Sequence, residues 1–280
     1  MRRKRRIRRG HFIRFVLVLT VLFLTIAVTV GIGQSIWSAA QGSKEESDVL
    51  ADDISMQKQE KDILDVFAEK HGLTRAAWPT ELIELLEKNE DAEEFVLNYP
   101  LKKNQSFEID LSDYENTNAV PLFLQWDERW GYTIYGSNVM GLTGCGPTCL
   151  SMVCMYLLDD SSYHPRYVAD FAEANGYYVD GSGSAWTLIS EGGETLGLEV
   201  TELPLDENRM IKNLELGNPI ICIMGPGDFT TSGHFIVLAG CEDGRFVVND
   251  PNSKTNSEKL WSYEEIQGQI KNLWVCKEKE

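Results

Sequence analysis

Pro147 constrains this chain more than any other residue. It follows Gly144-Cys145-Gly146 and heads the apolar run Thr148-Cys149-Leu150-Ser151-Met152-Val153. Proline is tolerated in a first helical turn, where its missing N–H would have no partner anyway, and it breaks a helix further in. The helix predicted over Pro147–Leu158 therefore has a fixed start, and Cys145 lies at its mouth, in the first turn or just before it. The unpaired N–H groups and the dipole at such an end favour an anion, so a thiol there should ionise more readily and react faster. Cys149 lies one turn further in, beside Met152 and Val153. An apolar flank raises a thiol pKa and makes it inert. The dipole thus favours Cys145 over Cys149 as a nucleophile.

A thiolate becomes catalytic only with a base, and the base needs an orienter. The chain has 4 histidines. His11 falls in a basic N-terminal arm, His71 ends a helical run, and His164 precedes Pro165 at a turn. His234 follows a glycine-containing loop and opens the apolar strand predicted over His234–Ala239. Asp243-Gly244 is a strong hairpin signal, and it folds the next strand, Phe246–Asn249, back along the first. Counting from that turn puts His234 opposite residues 250–253. Asp250 is the favoured orienter for the imidazole, with Asn249 as the alternative, since an amide can play the same part. For the oxyanion of an acyl transfer, the backbone N–H groups at the helix start, that of Cys145 included, are one source of donors. Gln125, in Phe123-Leu124-Gln125-Trp126-Asp127, is a candidate side-chain donor.

The remaining cysteines point elsewhere. The 6 cysteines contain no C-x-x-C pair, which argues against a structural zinc site. No cofactor or metal is expected. Cys222 and Cys241 lie in strands predicted to be neighbours, so a disulfide is conceivable; free, buried thiols are the favoured state.

Further helices are predicted at Pro165–Ala174, Ala185–Leu196, Glu207–Leu216 and Tyr263–Ile270, and further strands at Leu198–Leu203, Pro219–Met224 and Leu273–Val275. Helices first, then strands in hairpin order, indicate an α+β class with an antiparallel sheet. Ahead of this region, helical spacing recurs from Gln57 to His71. It resumes after Trp78-Pro79, with Leu82, Ile83, Leu85 and Leu86 inside, and again from Ala92 to Leu97, ending before Tyr99-Pro100. No polar cluster there suggests chemistry, so residues 57–115 read as a stalk or a cap.

Phe15–Ile32 is a run of 18 residues without a charge, close to the roughly 20 apolar residues that span a bilayer. Of the 26 Lys and Arg residues, eight fall in residues 1–14, leaving 18 against 43 acidic residues, or −25, for the remainder. A body that acidic repels nucleic acid. The basic arm is instead expected to stay cytoplasmic beside a membrane anchor over residues 15–36. A linker over 37–56 follows, and the rest of the chain is expected outside the membrane, at the cell surface. A cleaved signal ending near Ala40, in Ser38-Ala39-Ala40, is the rival reading and would secrete the body.

Val120-Pro121-Leu122-Phe123-Leu124-Gln125-Trp126-Asp127, Trp130-Gly131, Gly144-Cys145-Gly146-Pro147-Thr148, Gly233-His234-Phe235 and Asn249-Asp250-Pro251, in that order, resemble the C39-like cysteine peptidases. The resemblance covers about residues 116–280. It implies a papain-like α+β fold, Cys145 as nucleophile, His234 as base, Asp250 as its orienter, and a glutamine upstream of the cysteine serving the oxyanion hole. Gln125 stands 20 residues before Cys145, a longer gap than in transporter-linked members. Those members are cytosolic domains that cut leader peptides after a double glycine. This chain has no G-x-x-x-x-G-K-[ST] nucleotide loop, and its catalytic region is expected outside the membrane, so the substrate, a peptide or protein, stays open. The expected activity is peptide-bond hydrolysis through a thioester. A cell-wall amidase or transpeptidase on the same fold and a non-catalytic surface binding module are the alternatives. Oligomeric state is not legible.

Overall fold

The computed structural model describes residues 63–115 and 117–279. The chain divides into two compact units, residues 1–71 and 72–280. Of the first, residues 63–71 are helical, and the rings of Phe67 and His71 lie 4.3 Å apart. The expected basic arm, anchor and linker lie outside the described residues. Among the described residues no helix is long and apolar enough to cross a membrane.

The second unit opens with two helices, α1 (Thr80–Lys88) and α2 (Glu93–Lys102). In α1, Leu82 is buried while Glu81, Glu84 and Glu87 face solvent, as the spacing predicts. The expected end before Tyr99-Pro100 is corrected: α2 runs through Pro100 to Lys102. A proline inside a helix leaves the carbonyl four residues back without its donor. Here that carbonyl belongs to Val96, and the indole N–H of Trp78 donates to it at 2.7 Å in a buried contact. The local penalty is met by a tertiary hydrogen bond that spacing cannot show.

A short hairpin, β1 (Ile134–Tyr135) and β2 (Asn138–Val139), leads into a one-turn helix, α3 (Met140–Thr143). Then comes α4 (Cys145–Leu158), in which Pro147 occupies the third position and every residue from Gly146 to Met155 is buried. A helix apolar on all sides belongs at the centre of a fold. It ends at Asp159, whose φ of 49° is left-handed. The helix α5 (Pro165–Ala174) has the predicted bounds. A second small hairpin follows, β3 (Tyr178–Val179) and β4 (Gly183–Ser184). The single helix expected over Ala185–Leu196 is a π-helical turn, Leu188–Gly192, joined to an α-turn, Gly193–Thr195. Gly192-Gly193 has low helix propensity, and a Cβ at Gly193 would come within 2.9 Å of Val200, so the backbone presses close to the next strand.

That strand is β5 (Leu198–Glu202). It is followed by α6 (Glu207–Glu215), β6 (Ile220–Met224), β7 (His234–Glu242), β8 (Arg245–Asn249), α7 (Lys254–Glu258), β9 (Leu260–Trp261), α8 (Tyr263–Ile266) and β10 (Ile270–Glu278). The helix expected to reach Ile270 stops at Ile266, and β9 carries no signal long enough to read. The six long-range strands form one antiparallel sheet in the order β5-β10-β6-β7-β8-β9. Asp243-Gly244 makes the predicted two-residue turn, with φ of 49° and 76°; both residues in the left-handed region match the right-handed twist of a hairpin.

Both faces of the sheet are covered. Ile221, Ile223, Phe235, Val237 and Trp274 pack with α4 and α5 on one side. Ile220, Cys222, Ile236, Leu238 and Val275 pack with Met210 and Leu214 of α6 and Ile266 of α8 on the other. That is why β6 reads as an uninterrupted apolar run and not as an alternation. Pairing in β6 and β7 sets Cys222 opposite Ile236, and pairing in β7 and β8 sets Cys241 opposite Phe246. The conceivable Cys222–Cys241 disulfide is thus excluded by register, and all six cysteines are free thiols.

Candidate active site

Two elements bring the candidate reacting groups together. The helix α4 presents Cys145 from its first residue, and β7 presents His234 from its first residue. They pack against each other across the interior of the unit. Cys145 is partly exposed, and His234 is buried. The imidazole Nε2 donates to Oδ1 of Asp250 at 2.7 Å. The other ring nitrogen is left for the Cys145 thiol, the neighbouring group that acts with Asp250 on the charge of His234.

Electrostatics favour the charged pair. Burial by itself pushes the Cys145 thiol up, but the hydrogen bond and positive charge of His234 outweigh it. The backbone N–H groups of Phe235 and Gly146 near the sulfur favour its anion further, and the thiol ends below its usual value. Burial likewise works against a charged His234, yet the adjacent carboxylate of Asp250 and the Cys145 sulfur hold the imidazole above its ordinary value. Cys149 shows the contrast: it is fully buried, and desolvation raises it well above a normal thiol. One turn of helix separates a thiol held below its usual value from one held well above it.

Asp250, not Asn249, contacts the imidazole. Asn249 turns away, and its Nδ2 donates to the carbonyls of Val120 and Pro121 at 3.0 Å each. Asp250 is only 1% exposed, so each of its oxygens needs donors. Besides His234, Oδ1 accepts the N–H of Asn252 at 2.8 Å, and Oδ2 accepts Asn256 Nδ2 at 2.8 Å. The peptide N–H of Asp250 donates to Ser257 Oγ at 2.9 Å. Neither Asn252, Asn256 nor Ser257 stood out in the sequence, because a polar loop after a strand looks the same whether or not it holds an acid.

Gln125 is brought to the neighbourhood by the same loop. Its peptide N–H donates to Pro251 O at 2.7 Å. Its side chain is buried; Nε2 donates to Gly141 O at 2.8 Å, one turn ahead of Cys145. Its Oε1 is buried without a partner among the described residues. The other described histidines lie elsewhere. His164 caps α5, accepting the Tyr167 N–H through Nδ1 at 3.1 Å, and His71 lies in the other unit.

The sulfur opens onto a groove of about 760 Å³. The β3–β4 hairpin, Trp186 and the His234 end of β7 form its walls. Trp186 is 47% exposed and stacks edge-on against Trp274. No Asp or Glu lines the groove, and Lys271 contributes an ammonium. Lys271 sits in a bulge of β10, between Ile270 and Asn272, and bulges re-aim side chains in this way. Gly146 fits against β4 so closely that a Cβ would stand 2.6 Å from Ser184 Oγ. That hydroxyl is itself bonded to Tyr135 Oη at 2.7 Å.

The model of the Peptidase C39 like family matches residues 117–276. The chain belongs to that family. Two solved structures of C39-type peptidases are similar. One is the peptidase domain of Streptococcus ComA, a bi-functional ABC transporter involved in a quorum sensing pathway. It is 21% identical, with 49% of this chain and 93% of that chain covered and a TM-score of 0.38. The other is a putative C39-like peptidase from Bacillus anthracis, 14% identical, with 58% of this chain and 96% of that chain covered and a TM-score of 0.38. No curated protein matches the chain. Membership of the C39-like family agrees with the resemblance carried by the GCGPT, GHF and NDP segments. The fold is the mixed helix-and-sheet, papain-like one that the resemblance implies.

Proposed function

We propose that this C39-like chain is a cysteine peptidase that hydrolyses peptide bonds through a thioester on Cys145. The observation that carries the reading is the Cys145–His234–Asp250 relay, with the thiol lowered and the imidazole raised. The Cys145 thiolate attacks the scissile carbonyl, and the C=O electron pair moves onto oxygen. Collapse of that oxyanion breaks the C–N bond, and imidazolium His234 gives its proton to the leaving amine. A water, deprotonated by the now neutral imidazole, then attacks the thioester and returns the thiol. Asp250 keeps its charge throughout and fixes the ring. Gln125 and the N–H groups at the head of α4 are the oxyanion donors in this scheme. Gln125 has a second amide hydrogen besides the one given to Gly141. The groove suits a peptide, since it is open at the surface and, among the described residues, free of acidic side chains.

The enzyme acts outside the membrane in this reading. The support is the uncharged run Phe15–Ile32 with its basic arm on the N-terminal side. Alkylation of the purified full chain with iodoacetamide, followed by peptide-library cleavage, tests the chemistry. Labelling at Cys145 and cleavage that disappears in Cys145→Ala are expected. Equal cleavage by both proteins would overturn the reading. Protease protection in sealed vesicles tests the orientation: residues 116–280 should be digested from outside only.

A further inference from the structure

The helices ahead of the peptidase fold carry no chemistry of their own, yet they are hydrogen-bonded to the loop that holds Asp250. Asn89 ends α1 and donates from Nδ2 to the carbonyl of Asn252 at 2.5 Å. Asp91 accepts the backbone N–H groups of Lys254 and Thr255 through Oδ2, at 2.8 and 3.3 Å. Both residues belong to one rigid corner, because Asn89 Oδ1 also accepts the Asp91 N–H at 3.1 Å. One residue they grip, Asn252, orients the acid directly, and Thr255 precedes the other that does. Asn252 N–H binds Oδ1 of Asp250, and Asn256, next to Thr255, binds Oδ2. Trp126 adds a third tie to Asn252 O at 3.2 Å.

We infer that Asn89 and Asp91 are positioning residues for catalysis: they hold the 252–256 loop so that the Asp250 carboxylate meets the His234 imidazole. The inference rests on the peptidase reading of Cys145, His234 and Asp250. The physical reason is that a catalytic group is only as well placed as the shell that supports it. The carboxylate has no secondary structure of its own to stand on, since β8 ends at Asn249 and α7 begins at Lys254. A loop of that kind acquires one geometry only through tertiary partners. Asp91 satisfies two backbone donors that would otherwise face water, and it fixes where the first turn of α7 begins. The residues 72–115 thus complete the active site without touching substrate.

Two groups act on the charge of His234, Asp250 on the loop after β8 and Cys145 at the head of α4, and Lys271 on β10 lines the same groove. A displaced Asp250 weakens the one attraction that raises the imidazole from that side. The thiolate then loses its cation, so its reactivity moves to higher pH.

The test compares wild type, Asp91→Ala, Asp91→Asn and Asn89→Ala, each as the full chain. The rate of Cys145 alkylation by iodoacetamide is followed against pH, with thermal melts in parallel. Asp91→Ala should move the midpoint of reactivity upward and lower the rate at neutral pH by about 10- to 10²-fold, the upper figure being what a 1 Å misplacement can cost. Asp91→Asn should stay close to wild type, because an amide oxygen accepts the same two N–H groups. Asn89→Ala should shift in the same direction as Asp91→Ala, by less. Profiles of Asp91→Ala and Asn89→Ala that overlie wild type overturn the inference, even if both melt earlier. If Asp91→Ala does not fold, the Asn89→Ala profile decides alone. A wild type in which Cys145 has no acid-shifted reactivity sinks the peptidase reading, and this inference with it.

Discussion

His234 donates from Nε2 to Asp250 Oδ1 at 2.7 Å, which leaves its other nitrogen for the Cys145 thiol. The orientation makes one residue responsible for the charge on both partners. Because the imidazole is raised and the thiol lowered, the thiolate–imidazolium pair exists between the two shifted values. Below that window the thiol is protonated, and above it the imidazole is neutral. Asp250→Asn removes the charge that raises His234. The window should narrow from both sides, with the acid limb moving up and the alkaline limb moving down. Turnover should fall by about 10²-fold or more. A pH profile of peptide cleavage that keeps its limbs in Asp250→Asn would contradict this.

Cys149 should be dispensable for chemistry and costly for stability. Cys149→Ala should leave alkylation of Cys145 unchanged and lower stability by about 1 kcal/mol, comparable with deleting one buried methyl group. Cys149→Ser should cost more, about 1–3 kcal/mol, unless the buried hydroxyl finds an acceptor. Denaturant melts of the two variants measure the difference. Loss of Cys145 labelling in Cys149→Ala would show that the second thiol takes part.

Gln125 separates oxyanion stabilisation from thiol activation. Alkylation by iodoacetamide develops no oxyanion, while peptide cleavage does. Gln125→Ala should therefore leave the alkylation rate near wild type and lower kcat by about 10²–10³-fold. Equal losses in both assays would mean that Gln125 acts by holding Gly141 and the start of α4 in place, through its bond to the Gly141 carbonyl.

Gly146 is predicted to tolerate no side chain. The Cβ of Gly146→Ala would stand 2.6 Å from Ser184 Oγ, which is tied to Tyr135. The β3–β4 hairpin has to move, and with it one wall of the groove. Overpacking of this kind costs about 1–3 kcal/mol. KM for a cleaved peptide should rise, while the pH dependence of Cys145 alkylation should hold. An unchanged KM would show that the hairpin does not border the bound substrate.

Residue order by itself determined a good deal. Pro147 fixed where the central helix could begin, and that placed Cys145 at its mouth and Cys149 in its flank. Asp243-Gly244 fixed the hairpin that returns the chain towards His234. These are local signals, set by φ preferences and hydrophobic periodicity over a few residues, so they are readable without a fold. The choice between Asp250 and Asn249 was not local. Adjacent residues on an extended chain point to opposite sides, and only the packed segment 120–126, whose carbonyls claim Asn249, decides which side chain reaches the imidazole. The continuation of α2 through Pro100 was equally invisible, because its remedy is the indole of Trp78. So was the grip of Asn89 and Asp91 on the 252–256 loop, which joins residues 163 and more positions apart. Sequence named the candidate groups; their alignment depended on hydrogen bonds between distant segments, which exist only after the chain has folded.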